Sequence, residues 1–276
     1  MMAVIKKVPE RMREMAQSAV LITGASSGIG ATYADRFARR GHDLVLVARD
    51  TGRMEALAAR LRAETGVAID ILGADLAVDG DVASAEARLR DDRRIGVLIN
   101  NAGVALSGQF ERQAADDLAR LVAVNTGAVL RLAHAVAPRF VNDGGGAIVN
   151  IGSVVGLVPE FGQTVYGATK AFVQFLSQGL AHELGPKGVY VQAVLPAATA
   201  TDIWSRAGAE AASLPPMMEV GALVDAALVG FDRREPVTIP PLHDGTAWEA
   251  YQAARFAMIP GFGQTVPAPR YTVAAQ

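Results

Sequence analysis

Ala19-Val20-Leu21-Ile22-Thr23-Gly24-Ala25-Ser26-Ser27-Gly28-Ile29-Gly30 is the stretch that decides the fold. Its first five residues have the character of a short buried strand, and residues 29–40 repeat apolar positions at helical spacing. Between the two, Gly24, Gly28 and Gly30 permit a tight turn and a close backbone approach. A strand that turns sharply into a helix is the opening unit of an alternating β/α chain.

Working outward, apolar runs at 43–48, 67–73, 95–99, 147–151 and 189–195, with a weaker one at 237–239, read as further strands. Helices are expected at 53–64, 81–90, 114–140 and 164–184. This alternation predicts a doubly wound parallel α/β sheet, the Rossmann fold, of about seven strands with helices on both faces. With no repeat or linker to divide it, one domain is expected over 19–259, preceded by an extension at 1–18 and followed by a Gly/Pro-rich tail at 260–276. Residues 197–218 lack strong periodicity and carry Trp204, which suits either a surface connection or a segment lying over a substrate.

Composition narrows the partners. A net charge of −2 offers no basic field for nucleic acid or acidic membranes, so a small molecule is the expected partner. The absence of cysteine excludes disulfides and thiolate metal sites, and no metal is expected; a cytoplasmic location suits that composition. Residues 1–18 mix basic and acidic side chains without the uninterrupted apolar stretch of a secretory signal. No apolar run approaches the ~20 residues needed to span a bilayer, so no membrane association is expected.

The glycine turn has two chemical readings. Its exposed N–H groups and the helix dipole suit a pyrophosphate, which is dinucleotide chemistry, although Gly-x-x-x-Gly-x-Gly departs from the commoner Gly-x-Gly-x-x-Gly. Gly24-Ala25-Ser26-Ser27-Gly28 also fits the Gly-x-Ser-x-Gly elbow of serine hydrolases. Such an elbow follows several strands rather than the first, and no oxyanion-hole motif accompanies it. At the end of the second strand, Val47-Ala48-Arg49-Asp50 offers no acid at the tip, whereas Arg49 can bind a 2′-phosphate. NADP is the expected cofactor, with Asp50 keeping NAD as the alternative. Asp75 could bond an adenine amino group or cap the next turn.

Tyr166 and Lys170 are four residues apart in a helical segment and share a face, and Ser153 ends a buried strand thirteen positions earlier. A carbonyl that receives hydride must collect a proton, and a tyrosine of ordinary pKa near ~10 is a reluctant donor and acceptor at neutral pH. A lysine ammonium at ~4 Å supplies about 4 kcal/mol at an effective dielectric of ~20, enough to bring the tyrosine toward the neutral range. Ser153 would donate to the same substrate oxygen. The reaction implied is hydride transfer between a nicotinamide cofactor and a carbonyl or alcohol, with Tyr166 as general acid/base.

Over residues 20 to about 201 these features together resemble the short-chain dehydrogenase/reductase family. Thr23-Gly24-Ala25-Ser26-Ser27-Gly28-Ile29-Gly30 is similar to its cofactor turn, and Asn100-Asn101-Ala102-Gly103 to its motif after the fourth strand. The resemblance implies a catalytic tetrad of Asn125, Ser153, Tyr166 and Lys170, with Asn125 holding a water that links Lys170 to solvent. It implies cofactor contacts from Gly24, Ser26, Ser27, Gly28, Ile29, Gly30, Arg49, Asp75, Leu76, Asn101, Ala102 and Gly103, and from Lys170 and Tyr166 at the nicotinamide end. Pro196-Ala197-Ala198-Thr199-Ala200-Thr201 resembles the family's segment beside the nicotinamide, with Ala197 in place of the usual glycine, so Pro196, Thr199 and Thr201 join the expected contacts. It also implies a homo-oligomer, a tetramer or dimer, with the helices at 114–140 and 164–184 as candidate interfaces. Leu157, Val158, Phe161 and Trp204 are candidates for an apolar substrate pocket or for core. A dinucleotide-responsive regulatory protein without catalysis is the alternative from another class, and a complete Ser/Tyr/Lys set argues against it.

Overall fold

The computed structural model describes residues 18–208 and 216–271. Most of the extension at 1–18, the last five residues of the tail and residues 209–215 of the irregular segment lie outside the described residues. The chain divides after Pro241, and Leu242 onward forms a second unit.

In the first unit, strands β1 (Ala19–Thr23), β2 (Leu44–Ala48), β3 (Ile69–Gly73), β4 (Ile95–Asn100), β5 (Gly146–Ile151), β6 (Val189–Val194) and β7 (Val237–Thr238) form one sheet in the order β3-β2-β1-β4-β5-β6-β7. Every pairing is parallel. Helices α1 (Gly28–Arg39), α2 (Thr51–Thr65), α3 (Asp79–Asp91), α4 (Ala115–Val122), α5 (Val129–Asn142), α6 (Thr164–Leu184), α7 (Ile203–Arg206) and α8 (Val220–Asp232) connect them.

Alternation along the strands builds two cores. Val20 and Ile22 of β1, with Leu44 and Leu46 of β2, pack against Tyr33 and Phe37 of α1, Met54 and Leu61 of α2, and Leu223 and Leu228 of α8. Leu21, Val45 and Val47 point the other way, toward Val82 and Leu89 of α3 and Leu132, Val136 and Phe140 of α5. The doubly wound fold expected from the sequence is thus present, with both sheet faces covered. β3, an edge strand, is the least buried, with only Ile69 within it fully buried.

Two helices depart from expectation. Residues 114–140 read as one helix, but α4 and α5 are joined by a π-turn, Ala123–Ala128. The continuous element Ala115–Asn142 is also long and apolar enough to cross a membrane by length and composition, although charged residues interrupt it and leave no unbroken apolar run. Half of an 18-residue apolar window within it is buried in protein, and α5 packs on β4 and β5. Helix α8 was not expected at all. The second unit holds helix α9 (Gly245–Ala257), capped by Asp244, whose carboxylate accepts from the Thr246 N–H at 2.9 Å.

The order of strands places the site. The chain leaves β1 toward β2 on one side and returns to β4 on the other, so a crevice opens at the carboxyl ends of β1 and β4, where open α/β sheets bind ligands.

Candidate active site

A cleft of about 1220 Å³ occupies that crevice. Its floor begins with the glycine turn. Gly24 and Gly28 sit at φ +66° and +55°, in the left-handed region that favours glycine. Thr23 accepts N–H donors from Asn101 and Ala102 on its Oγ1, at 2.9 and 3.0 Å, and donates to the Ile99 carbonyl. Asn101 Nδ2 donates to the carbonyls of Thr23 and Gly24 at 2.9 and 3.3 Å. The motif after β4 therefore braces the turn after β1. No side chain caps the first turn of α1, which leaves its N–H donors available to an anion.

Gly24, Ser26, Ser27, Gly28 and Ile29 line the cleft, as do Asn101, Ala102 and Gly103. Gly30 itself does not line it. A Cβ there would run into the Gly24 carbonyl and come within 2.5 Å of Asn101 Nδ2. Its role is to let α1 close onto the turn.

At the end of β2, Arg49 is exposed and lines the cleft. Asp50 is engaged locally: its Oδ1 accepts the Arg53 N–H at 2.9 Å as the cap of α2. Asp75 and Leu76 line the same end. The Asp75 carboxylate accepts from Arg120 of α4 at 2.7 and 2.9 Å and from the Ala77 N–H at 3.0 Å. Burial opposes its ionisation, but those bonds hold it below the usual carboxylate range. The capping alternative for Asp75 is therefore the one visible, joined by an ion pair that the sequence did not suggest.

Ser153, Tyr166 and Lys170 line the other end of the cleft together. Ser153 follows β5 and donates to the Pro196 carbonyl at 3.2 Å. Lys170, 6% exposed, donates from Nζ to the Ile151 carbonyl at 2.8 Å, and the same atom lies 5.6 Å from the Tyr166 ring centre. Burial pushes the Tyr166 hydroxyl up to about 12, and a hydrogen bond with Ser153 pulls the other way. Burial alone pushes Lys170 down to about 8. The expected lowering of the tyrosine by the lysine is thus not the governing effect. Desolvation is the largest effect on the hydroxyl, and the Lys170 amine is turned onto a backbone carbonyl.

Asn125 does not line the cleft. It sits in the π-turn, 1% exposed, where Oδ1 accepts the Val104 N–H and Nδ2 donates to the Val104 carbonyl, both at 2.9 Å. Nδ2 also reaches Thr169 Oγ1 at 3.2 Å. A π-turn supplies the extra residue that aims a side chain out of α-helical register. A Cβ on Gly103 would lie 3.4 Å from Asn125 Oδ1 and 3.6 Å from Lys170 Nζ, so the missing side chain keeps open the space between them.

After β6, Pro196, Thr199 and Thr201 line the cleft, as do Phe161 and Trp204, whereas Leu157 and Val158 do not. Thr199 and Met218 form a parallel bridge that pins the base of the irregular segment, and Trp204 Nε1 donates to the Thr199 carbonyl at 2.8 Å. Sequence reasoning passed over Asp202, which joins Arg53 to Arg206, and Val104, the partner of Asn125. A signal did exist for the Asp202–Arg206 pair, whose opposite charges stand four residues apart.

The sequence profile described as short chain dehydrogenase matches residues 18–212, and the chain belongs to that family. Among solved structures it is similar to a short-chain dehydrogenase from Sphingobium yanoikuyae in complex with NADPH, at 65% identity and TM-score 0.91, covering 92% of this chain and 100% of that one. It is similar also to the bulky-bulky ketone specific alcohol dehydrogenase from Comamonas testosteroni, at 58% identity and TM-score 0.87, covering 94% and 100%. Hydroxysteroid dehydrogenase-like protein 1 of Gallus gallus is 30% identical over 220 residues, which make up 78% of this chain and 66% of that relative's length.

Proposed function

We propose that this protein is an NADP-dependent oxidoreductase that reduces ketones flanked by bulky apolar groups to alcohols. The observation that carries the reading is the placement of Ser153, Tyr166 and Lys170 in the same cleft as the glycine turn. The two solved relatives, one complexed with NADPH and one specific for bulky ketones, support it.

The cleft fits a dinucleotide on its own features: a braced glycine turn, uncapped helix donors and the exposed Arg49 at the tip of β2, with Asp50 occupied as a cap. Asn101, Ala102, Gly103, Leu76 and Asp75 would flank the adenosine and ribose, and Pro196, Thr199 and Thr201 the nicotinamide. Bound there, NADPH supplies the hydride. Ser153 and Tyr166 hydrogen-bond the substrate carbonyl oxygen and hold it against water. Tyr166, held neutral by burial, donates its proton to that oxygen as negative charge develops. Lys170, neutral or charged near pH 8, steadies the tyrosinate left behind. A water in the space kept open by Gly103 would return the proton through Lys170 and Asn125. Phe161 and Trp204 supply apolar walls for the substrate.

Burial, which pushes the Tyr166 hydroxyl up to about 12, keeps it protonated at neutral pH, the form that reduction needs, and leaves little of the tyrosinate that oxidation needs. Tyr166→Phe should lower NADPH-dependent ketone reduction at least ~100-fold with little change in NADPH affinity. Near-wild-type turnover in that variant, measured by NADPH oxidation across ketones of graded size, would reject the mechanism. NADH used as well as NADPH would reject the cofactor. The protein is further proposed to act in the cytoplasm as a homo-oligomer, with Val122, Leu130 and the 78% exposed Phe175 as apolar contacts on α4, α5 and α6. Sedimentation equilibrium measures that assembly.

A further inference from the structure

Three charged side chains from distant parts of the chain meet across the mouth of the cleft. Asp202 Oδ2 accepts from Arg53 Nη1 at 2.9 Å and from Arg206 Nη2 at 3.2 Å, so two guanidiniums converge on one carboxylate oxygen. Arg206 Nη2 is also 3.2 Å from Ser27 Oγ, at the very start of α1. Arg53 lies one helical turn beyond Arg49, and its Nε is 3.4 Å from Asp50 Oδ2. All of these residues line the cleft.

Two guanidiniums aimed at a single anionic oxygen form an arrangement that a phosphate can occupy, and arginine forks match phosphate oxygens two at a time. The resident carboxylate is a weak occupant. Each member of the trio has about half of its side chain in water, with Arg53 at 54%, Asp202 at 50% and Arg206 at 52%, and exposed pairs of this kind contribute only ~0–1 kcal/mol. A phosphate monoester carries about −1.5 to −2 charges against the single charge of the carboxylate, so exchange favours the phosphate.

We propose that Arg53 and Arg206 are phosphate ligands of the dinucleotide, held in place by Asp202, which serves as an internal competitor until the cofactor arrives. This deepens the NADP reading and rests on it. Position assigns a different phosphate to each arginine. Arg206, beside Ser27 at the helix start, faces the diphosphate that NADPH and NADH share. Arg53, beside Arg49 at the end of β2, faces the 2′-phosphate that only NADPH carries.

Titration of the full chain with NADPH and with NADH, followed by nucleotide fluorescence, tests the assignment through dissociation constants alone. Arg206→Gln should weaken both nucleotides by about tenfold, the loss of one charge-assisted bond. Arg53→Gln should weaken NADPH by about tenfold and leave NADH within about twofold. Asp202→Asn should tighten NADPH by roughly threefold, because the competitor loses its charge. If the trio is only a strap between two segments, all three variants lower the melting temperature with unchanged constants, and that result overturns the proposal. Weaker NADPH binding in Asp202→Asn overturns it as well. A wild-type chain without preference for NADPH would instead count against the NADP reading, while the effect of Arg206→Gln on both nucleotides would still decide the diphosphate contact.

Discussion

The two jaws of the cleft are built on opposite principles. The turn after β1 is held by part-buried bonds between side chain and backbone at Thr23 and Asn101 and by the exclusion of any side chain at Gly30. Among its described residues, the segment after β6 is held by the Thr199–Met218 bridge, the Trp204 indole bond, a few backbone bonds such as Ser107 N–H to the Ala207 carbonyl, and half-exposed ion pairs. Sterically fixed backbone tolerates no adjustment, whereas exposed ion pairs rearrange at a cost of less than about 1 kcal/mol each. One jaw can thus serve as a fixed template for what all dinucleotides share, and the other can accommodate differences between ligands.

The largest expected break in this contrast is Gly30→Ala. The added methyl meets the Gly24 carbonyl, which is itself fixed, so the variant should lose about 3 kcal/mol in urea unfolding and lose nucleotide binding with it. A mild effect would show that the turn is as adaptable as the opposite jaw.

Between the jaws lies Lys170, and its burial can be read from pH. Unfolded, it titrates at its ordinary value near ~10.4, and folded at about 8. In that window the unfolded chain binds more protons than the folded one, so stability rises with pH; below 8 the cost of the buried ammonium is felt in full. Compared with Lys170→Met, the wild type should gain on the order of 2 kcal/mol between pH 7 and 10.5. A difference that stays flat with pH would mean that the ammonium is solvated.

The smallest effect is expected in the adjustable jaw. Trp204→Phe removes the bond to the Thr199 carbonyl and should cost about 1 kcal/mol or less, showing mainly as a higher KM for bulky ketones with kcat retained. A collapse in kcat would place this segment among the rigid parts.

The same contrast governs what could be read in the sequence. The strands were legible because parallel strands covered on both faces must be continuously apolar, and all seven sit within two residues of their expected bounds. Ser153, Tyr166 and Lys170 were legible because strand ends and helical spacing put them on one crevice. Helix α8 was hidden by Gly221 and Gly230, which weaken a helical reading. Gly230 answers to tertiary packing, since a Cβ there would collide with Thr238 of β7. The packing role of Gly30 was not legible, because its motif does not distinguish glycines that admit a ligand from one that admits a helix. The Asp202 trio joins residues 149 positions apart through side chains in water, and no local pattern records such a meeting.

The π-turn at Ala123–Ala128 makes chain length itself a functional variable. One residue more than an α-helix needs is inserted there, and removing it would let the backbone relax into an unbroken helix. A chain shortened by Ala128 should gain regular hydrogen bonding while Asn125 swings by about 100° away from Val104. The surplus residue weakens the helix where it lies and fixes the loop beside Lys170.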